Sequence, residues 1–157
     1  MVNPATFFAG DRATYPGMQV AEILIWRAWL AQYGSFYDSF EYNTRLGPDI
    51  VPPLALVEPY RSASILAKKL RLDAVGWKAG TPTIFEVERY GKARAVGQLL
   101  TYRAAWEQQQ DTSASPALVL VCADADLNIL PVCQEHQIEL LIVPVDFSQL
   151  APSRLQS

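Results

Sequence analysis

The chain of 157 residues has one histidine, His136, and only two cysteines, Cys122 and Cys133. No Cys-x-x-Cys pair or Cys/His cluster accompanies them, which argues against a zinc site and a histidine-based catalytic triad. Cys122 lies inside the apolar run 117–123. We therefore expect two buried free thiols rather than a disulfide.

Long hydrophobic runs are missing as well. No stretch of about eighteen apolar residues occurs, and residues 1–10 lack the basic start and apolar centre of a signal peptide. Half of the residues are hydrophobic, which suffices for one core in a chain of this length. The sequence therefore predicts a single soluble, cytoplasmic domain over 1–157, with an irregular N-terminal arm over 1–16 and no membrane partner.

The net charge of −3 argues weakly against a nucleic-acid partner, but the charges are unevenly distributed. Residues 1–103 hold 12 of the 13 basic side chains against 9 acids, whereas the remainder holds Arg154 against 7 acids. Such a basic stretch can contact a phosphate backbone or can form an ordinary solvated face. Both alternatives remain open from the sequence.

Hydrophobic periodicity divides the chain into alternating helices and strands. Helical spacing covers 17–33, before Gly34, and then 92–110 and 127–137. Strand patterns cover 35–42, 71–77, 83–89, 117–121 and 138–145, with a turn at 79–82 and a proline-rich loop over 47–53. Residues 60–70 fit either a helix or a strand. This order predicts the α/β class, with a mixed central β-sheet flanked by helices.

Three acidic residues stand out on the predicted hairpin. Alternation along a strand places Glu86 and Glu88 on one face, and a suitable register brings Asp73 of the neighbouring strand toward Glu86. Clustered carboxylates repel one another, so a cation is expected between them. Oxygen ligands favour Mg²⁺ or Mn²⁺. The alternative is a solvated hairpin face with no such role.

The helix that follows adds a polar ridge. Arg94, Gln98 and Tyr102 recur every four residues and therefore lie along one side of the helix. Leucines and alanines supply the opposite, apolar side. Gln98 and Tyr102 are thus placed to reach a phosphate or an ordered water, although Tyr102 also fits a core position with its hydroxyl satisfied.

Together these segments resemble the core of the PD-(D/E)XK nuclease superfamily, especially the branch related to the RecB nuclease domain with its Gln-x-x-x-Tyr helix. The resemblance implies a restriction-endonuclease-like core of the order αβββαβ. It also implies metal ligation by Asp73, Glu86 and the Val87 carbonyl, and a substrate-side role for Gln98 and Tyr102. Glu22 resembles the acidic residue that some branches contribute from their first helix.

One position departs from this pattern, because Glu88 stands where the family usually has lysine. A glutamate cannot supply positive charge, but it can act as a general base or bind a second metal ion. Alternatively the cation has moved to Arg94 or Lys92. Lys78 is a weaker candidate, since it alternates onto the face opposite Asp73.

The resemblance implies a Mg²⁺- or Mn²⁺-dependent endo- or exodeoxyribonuclease that hydrolyses phosphodiester bonds in DNA, including branched or single-stranded DNA. The alternative is a catalytically inactive nuclease-like module that binds nucleic acid or serves assembly. A homodimer is a further expectation. The aromatic residues at 36, 37, 40 and 42 would serve its surface or, alternatively, the core.

Overall fold

The computed structural model describes residues 6–7, 15–48, 56–67, 69–109, 114–148 and 150. These segments contain six strands and four α-helices. In chain order they are β1 (Thr6–Phe7), α1 (Val20–Tyr33), β2 (Ser39–Leu46), α2 (Tyr60–Ala67), β3 (Leu70–Lys78), β4 (Thr81–Gly91), α3 (Ala93–Gln109), β5 (Ala117–Ala125), α4 (Leu130–Glu135) and β6 (Ile138–Ile142). Short 3-10 helices precede β2 at Gly34–Phe36 and α4 at Leu127–Ile129.

The strands form one six-stranded sheet in the order β1-β2-β3-β4-β5-β6. Pairing is antiparallel from β1 to β4 and parallel from β4 to β6. The parallel half follows from α3, which carries the chain back across the sheet before β5 begins. The predicted α/β class with a mixed sheet is therefore confirmed, and the elements α1, β2, β3, β4, α3 and β5 follow the order αβββαβ.

The hairpin between β3 and β4 is tighter than the sequence indicated. Its loop consists of Ala79 and Gly80, both with positive φ, as a two-residue hairpin turn of the primed type requires. Pro82 pairs with Trp77 inside the ladder instead of belonging to the turn. The prediction of a turn over 79–82 was therefore too long.

Other boundaries also differ from prediction. The N-terminal arm is not irregular throughout, because residues 6–7 pair with β2 as a short strand. The strand predicted over 35–42 begins only at Ser39, and the ambiguous segment 60–70 contains α2 before β3 starts at Leu70. Pro131 lies in the first turn of α4, where its missing N–H costs no helical hydrogen bond. The proline-rich loop at 52–53 lies outside the described residues.

Two hydrophobic cores cover the two faces of the sheet. Alternation along β4 separates them, since Ile84 packs on the α3 face and Phe85 on the α1 face. On the α1 face, Trp26 and Trp29 stack at 4.8 Å between ring centroids and contact Phe85 at 5.1 and 4.7 Å. The sheet is thus covered by a hydrophobic core on each face.

The two cores also contain both cysteines and part of the aromatic segment for which the sequence left burial open. Phe40 and Tyr42 are buried, whereas Phe36 is 60% exposed, so most of this aromatic segment serves the core. Both predicted free thiols are confirmed as free and buried. None of the helices in the described segments is long and apolar enough to cross a membrane. The homodimer remains a prediction.

Candidate functional site

The pairing of β3 with β4 stops where the acidic residues begin. It runs from the hairpin loop to Ala74 opposite Phe85, and no later pair joins these strands in the described structure. Continuing that register places Asp73 opposite Glu86 on the α3 face. There the Asp73 side chain replaces a ladder partner, because its Oδ2 accepts the Val87 N–H at 2.9 Å.

The neighbouring ladder is irregular at the same height. The pairs between β2 and β3 pass from Tyr42–Ala74 to Thr44–Leu72 without joining Asn43 to Asp73. Asn43 has a φ of 56°, a left-handed conformation that asparagine tolerates better than most residues. Asp73 therefore has no regular ladder partner on either neighbouring strand in the part of the sheet that is described.

A cavity of about 600 Å³ opens at this position between β3, β4 and α3. It is bordered by ten residues: Lys69, Leu70, Arg71, Asp73, Glu86, Arg94, Gly97, Gln98, Thr101 and Tyr102. Five residues that the sequence suggested for the site thus border one cavity: Asp73, Glu86, Arg94, Gln98 and Tyr102. The spacing of four along α3 accounts for the three helical ones, which share one side of the helix.

The two carboxyl groups are unusually deeply buried for acidic side chains, at 8% exposure for Asp73 and 4% for Glu86. Burial raises the pKa of both groups. The negative charge of Asp73 raises the pKa of Glu86 further, whereas the Val87 hydrogen bond opposes the rise at Asp73. Two acids facing one cavity therefore resist simultaneous ionisation unless a cation lies between them.

Only part of the hydrogen-bonding capacity of the Glu86 carboxyl group is used by its neighbours. Tyr102 hydrogen-bonds its carboxyl group, and burial together with the Glu86 charge raises the pKa of Tyr102, so the hydroxyl stays protonated as a donor. The other carboxyl oxygen, Oε2, is buried without a hydrogen-bond partner, as is Oε1 of Gln98 in the same cavity. Buried acceptors of this kind call for a cation or a ligand donor.

Glu88 and Glu22 lie beside the cavity but do not border it. Burial raises the pKa of Glu88, the charge of Glu22 adds to the rise, and Arg94 and Lys92 oppose it. Glu22 also has a structural contact, because its Oε2 accepts the N–H of Gln19 at 2.8 Å at the start of α1. Both carboxylates therefore contribute negative potential without bordering the cavity.

Across the described segments, no group of three or more His, Cys, Asp or Glu is arranged to hold a metal ion. The expected convergence of Asp73, Glu86 and Glu88 on one ion is therefore not found. What remains is a pair, Asp73 and Glu86. Val87 contacts Asp73 of this pair, because its N–H donates to Oδ2, while its side chain packs in the α1-side core.

Arg71 is the neighbour that the sequence reading missed. It borders the cavity, and its charge lowers the pKa of both Asp73 and Glu22. The signal was available, since residues two apart in a strand share a face and Arg71 precedes Asp73 by two. By contrast, Lys78 lies at the hairpin loop, where its Nζ is 3.7 Å from Asp38.

Comparisons with known proteins add little to this geometry. No family model matches the chain, and no curated protein does. Among solved structures, the crystal structure of a repair endonuclease from Pyrococcus abyssi is similar over 66% of this chain, with a TM-score of 0.40 and 14% identity. This chain covers 39% of that protein's length. At this degree of similarity, function must be inferred from the site itself.

Proposed function

We propose that this chain is a divalent-metal-dependent nuclease that hydrolyses phosphodiester bonds in DNA. The observation that carries the proposal is the buried pair Asp73 and Glu86, which faces one cavity and leaves Glu86 Oε2 without a partner. Burying two like charges together costs free energy that no described neighbour fully offsets. A site that keeps them is explained by a cationic ligand.

The residues present fit a hard divalent ion. Asp73 and Glu86 supply carboxylate oxygens on two adjacent strands, and Mg²⁺ or Mn²⁺ prefers such oxygens with several water molecules completing the shell. When bound, the ion supplies a Lewis acid and a water molecule of lowered pKa. Asp73 keeps its orientation through Val87, and Glu86 through Tyr102.

The rest of the cavity suits a phosphodiester. Arg71 and Arg94 border it, and both are exposed, so they are placed to attract a phosphate group. Gln98 brings an amide group whose Oε1 lacks a hydrogen-bond partner. Its amide NH2 group can donate to a phosphate or to an attacking water. The cavity thus combines an acidic floor with a basic rim, as hydrolysis of an anionic substrate requires.

A specific observation favours a second candidate, a nuclease-like module that binds nucleic acid without cleaving it. Glu88 lies where a cation is usual in the resembled family, and no three-carboxylate metal site is found among the described residues. The two candidates share the basic rim and differ in metal-dependent turnover. Cleavage therefore separates them, whereas DNA binding alone does not.

Cleavage of labelled linear, branched and single-stranded DNA with Mg²⁺ or Mn²⁺ is the primary test. Asp73→Asn and Glu86→Gln should each reduce the rate about 10²- to 10⁴-fold, because each removes a charge worth several kcal/mol in the transition state. Asn at position 73 keeps an acceptor for Val87. The matched control is Glu135→Gln, an exposed acid on α4, which should leave the rate unchanged. Binding of DNA without any cleavage by the parent protein would select the second candidate.

Glu88→Lys restores the lysine that is usual in the resembled family and tests the role of Glu88. If Arg94 has taken that role, the new lysine should sustain the rate and should make Arg94→Ala harmless in that background. If Glu88 is a general base or a second ligand, the rate should fall about 10²- to 10⁴-fold. An unchanged rate in Glu88→Lys with Arg94→Ala still damaging would contradict both roles.

A further inference from the structure

A second cavity, of about 500 Å³, lies on the α1 face and shares no residue with the acidic one. Aromatic rings dominate its wall, contributed by the end of α1 and the segment after it: Trp29, Tyr33, Phe36 and Tyr37. Their centroids are closely spaced, at 5.8 Å for Trp29 to Tyr33, 5.8 Å for Trp29 to Tyr37 and 5.1 Å for Phe36 to Tyr37. This volume suits a small organic molecule.

The charge of this second cavity is negative. Glu139 of β6 is an exposed acid among its lining residues, which include no lysine, arginine or histidine. Burial raises the pKa of Tyr37, and the charge of Glu139 raises it further, so the carboxylate acts directly on this ring. Aromatic faces are themselves electron-rich. The aromatic wall and the carboxylate of Glu139 therefore both favour a cationic ligand.

Aromatic walls accept either a stacked nucleobase or a cation. A nucleobase would bring its phosphate backbone toward Glu139, with no basic lining residue to compensate. A cation is attracted by Glu139 instead. The edge of this aromatic group already holds a cation, because Nζ of Lys78 lies 5.2 Å from the centroid of Phe36, and Asp38, 3.7 Å from that Nζ, offsets its charge.

We propose that this cavity binds a small, free organic cation with a methylated ammonium group, such as a choline-like molecule. A primary ammonium is strongly hydrated, and that of Lys78 accordingly remains at the exposed rim beside Asp38. A quaternary ammonium is larger, carries no N–H to satisfy and gains most from aromatic surfaces. This site is independent of the nuclease proposal, since the two cavities have no residue in common.

The test is a titration of the full chain with tetramethylammonium and choline chlorides, followed by backbone amide NMR at constant ionic strength. We expect saturable shifts at residues 29–37 and 139–141. The neutral isostere 3,3-dimethylbutan-1-ol matches choline in shape and should bind markedly more weakly. Equal binding of the alcohol, or no saturable shift at these residues with either cation, would overturn the proposal. Tighter binding of a trimethyl-lysine peptide than of choline would overturn the free small molecule as ligand.

Variants with matched controls sharpen the assignment. Tyr33→Leu should weaken cation binding about 3- to 30-fold, the range that one cation–π contact provides. Tyr90→Leu removes a tyrosine of similar exposure, 47% against 44% for Tyr33, that lies on β4 outside this cavity, and it should not weaken binding. Glu139→Gln should weaken binding several-fold at low salt, whereas Glu135→Gln should not. Equal effects of test and control variants would contradict the assigned position.

Discussion

Phe85 and Glu86 are neighbours on β4 and are almost equally buried, at 0% and 4% exposure, yet they face opposite sides of the sheet. Phe85 enters a closed aromatic core, whereas Glu86 enters a cavity with an unsatisfied oxygen. Burying an aromatic ring stabilises the fold by about 2–3 kcal/mol, and burying a carboxylate opposes folding. One face of β4 therefore stabilises the fold, whereas the other face carries the carboxylate of the candidate site.

The largest effect on stability is expected at the aromatic residue. Phe85→Ala should lower the free energy of unfolding by about 3–5 kcal/mol, because it opens a cavity against Trp26, Trp29 and Phe40. Glu86→Gln, in chelator-treated protein, should leave that free energy unchanged or raise it. Urea unfolding measures both values.

Phe36→Ala is the control for the aromatic substitution, because this ring is 60% exposed and its loss should change stability by less than about 0.5 kcal/mol. If Glu86→Gln were as damaging as Phe85→Ala, Glu86 would be part of the structural core. The contrast between the two faces of β4 would then be lost.

A second effect concerns pH. Burial raises the pKa of Asp73 and Glu86, so the folded state binds more protons than the unfolded state above about pH 4, the ordinary carboxyl range. Stability of the metal-free protein should therefore fall as pH rises from about 4 through neutrality, by about 1.4 kcal/mol for each unit of pKa difference. Unfolding measured from pH 4 to 8 with a chelator gives this slope.

Glu86→Gln should flatten the pH profile without removing it. Burial also raises the pKa of Glu22, Glu41 and Glu88, and these groups contribute a slope of the same sign. Excess Mg²⁺ or Mn²⁺ should reduce the slope in the parent, because it favours the ionised pair. A stability that rose with pH in chelator would contradict the raised pKa values.

The sequence predicted the fold better than it predicted the site. The apolar run at 117–121 identified β5, because a strand covered on both faces is almost continuously hydrophobic. The run at 138–145 identified β6, but the prediction of a buried strand there was wrong in part, since β6 ends at Ile142, is last in the sheet order and leaves Glu139 and Ile142 exposed. The alternation of side chains along a strand likewise predicted that Glu86 and Glu88 share one face of β4. These inferences depend only on local periodicity, which the sequence carries directly.

The site required information that periodicity does not carry. Glu86 is buried, whereas Glu88, two residues later on the same strand, is only partly buried, and parity does not distinguish the two positions. The irregular pairing at Asn43, which leaves Asp73 without a ladder partner on β2, is a long-range consequence of β2 lying beside β3. Residues this distant in sequence meet only through tertiary structure. Arg71 is a different case, because its parity with Asp73 was visible in the sequence and was overlooked.

The smallest effect is expected from a single hydroxyl. Tyr102→Phe keeps a ring that is 4% exposed and removes its hydrogen bond to Glu86. That bond lowers the pKa of Glu86, so the titration of the Glu86 carboxyl carbon, followed by NMR in chelator, should move to higher pH. Stability should fall by about 0.5–1.5 kcal/mol, the net contribution of one hydrogen bond.

The exposed Tyr90 provides the control, because Tyr90→Phe should alter neither the Glu86 titration nor stability. The direction of the pKa change separates two roles for Tyr102. If the hydroxyl donates to the ionised carboxylate, its loss disfavours ionisation and the pKa rises further. A pKa that fell in Tyr102→Phe would mean that the hydroxyl instead accepts from the protonated acid, and Tyr102 would then stabilise the neutral form and oppose metal binding.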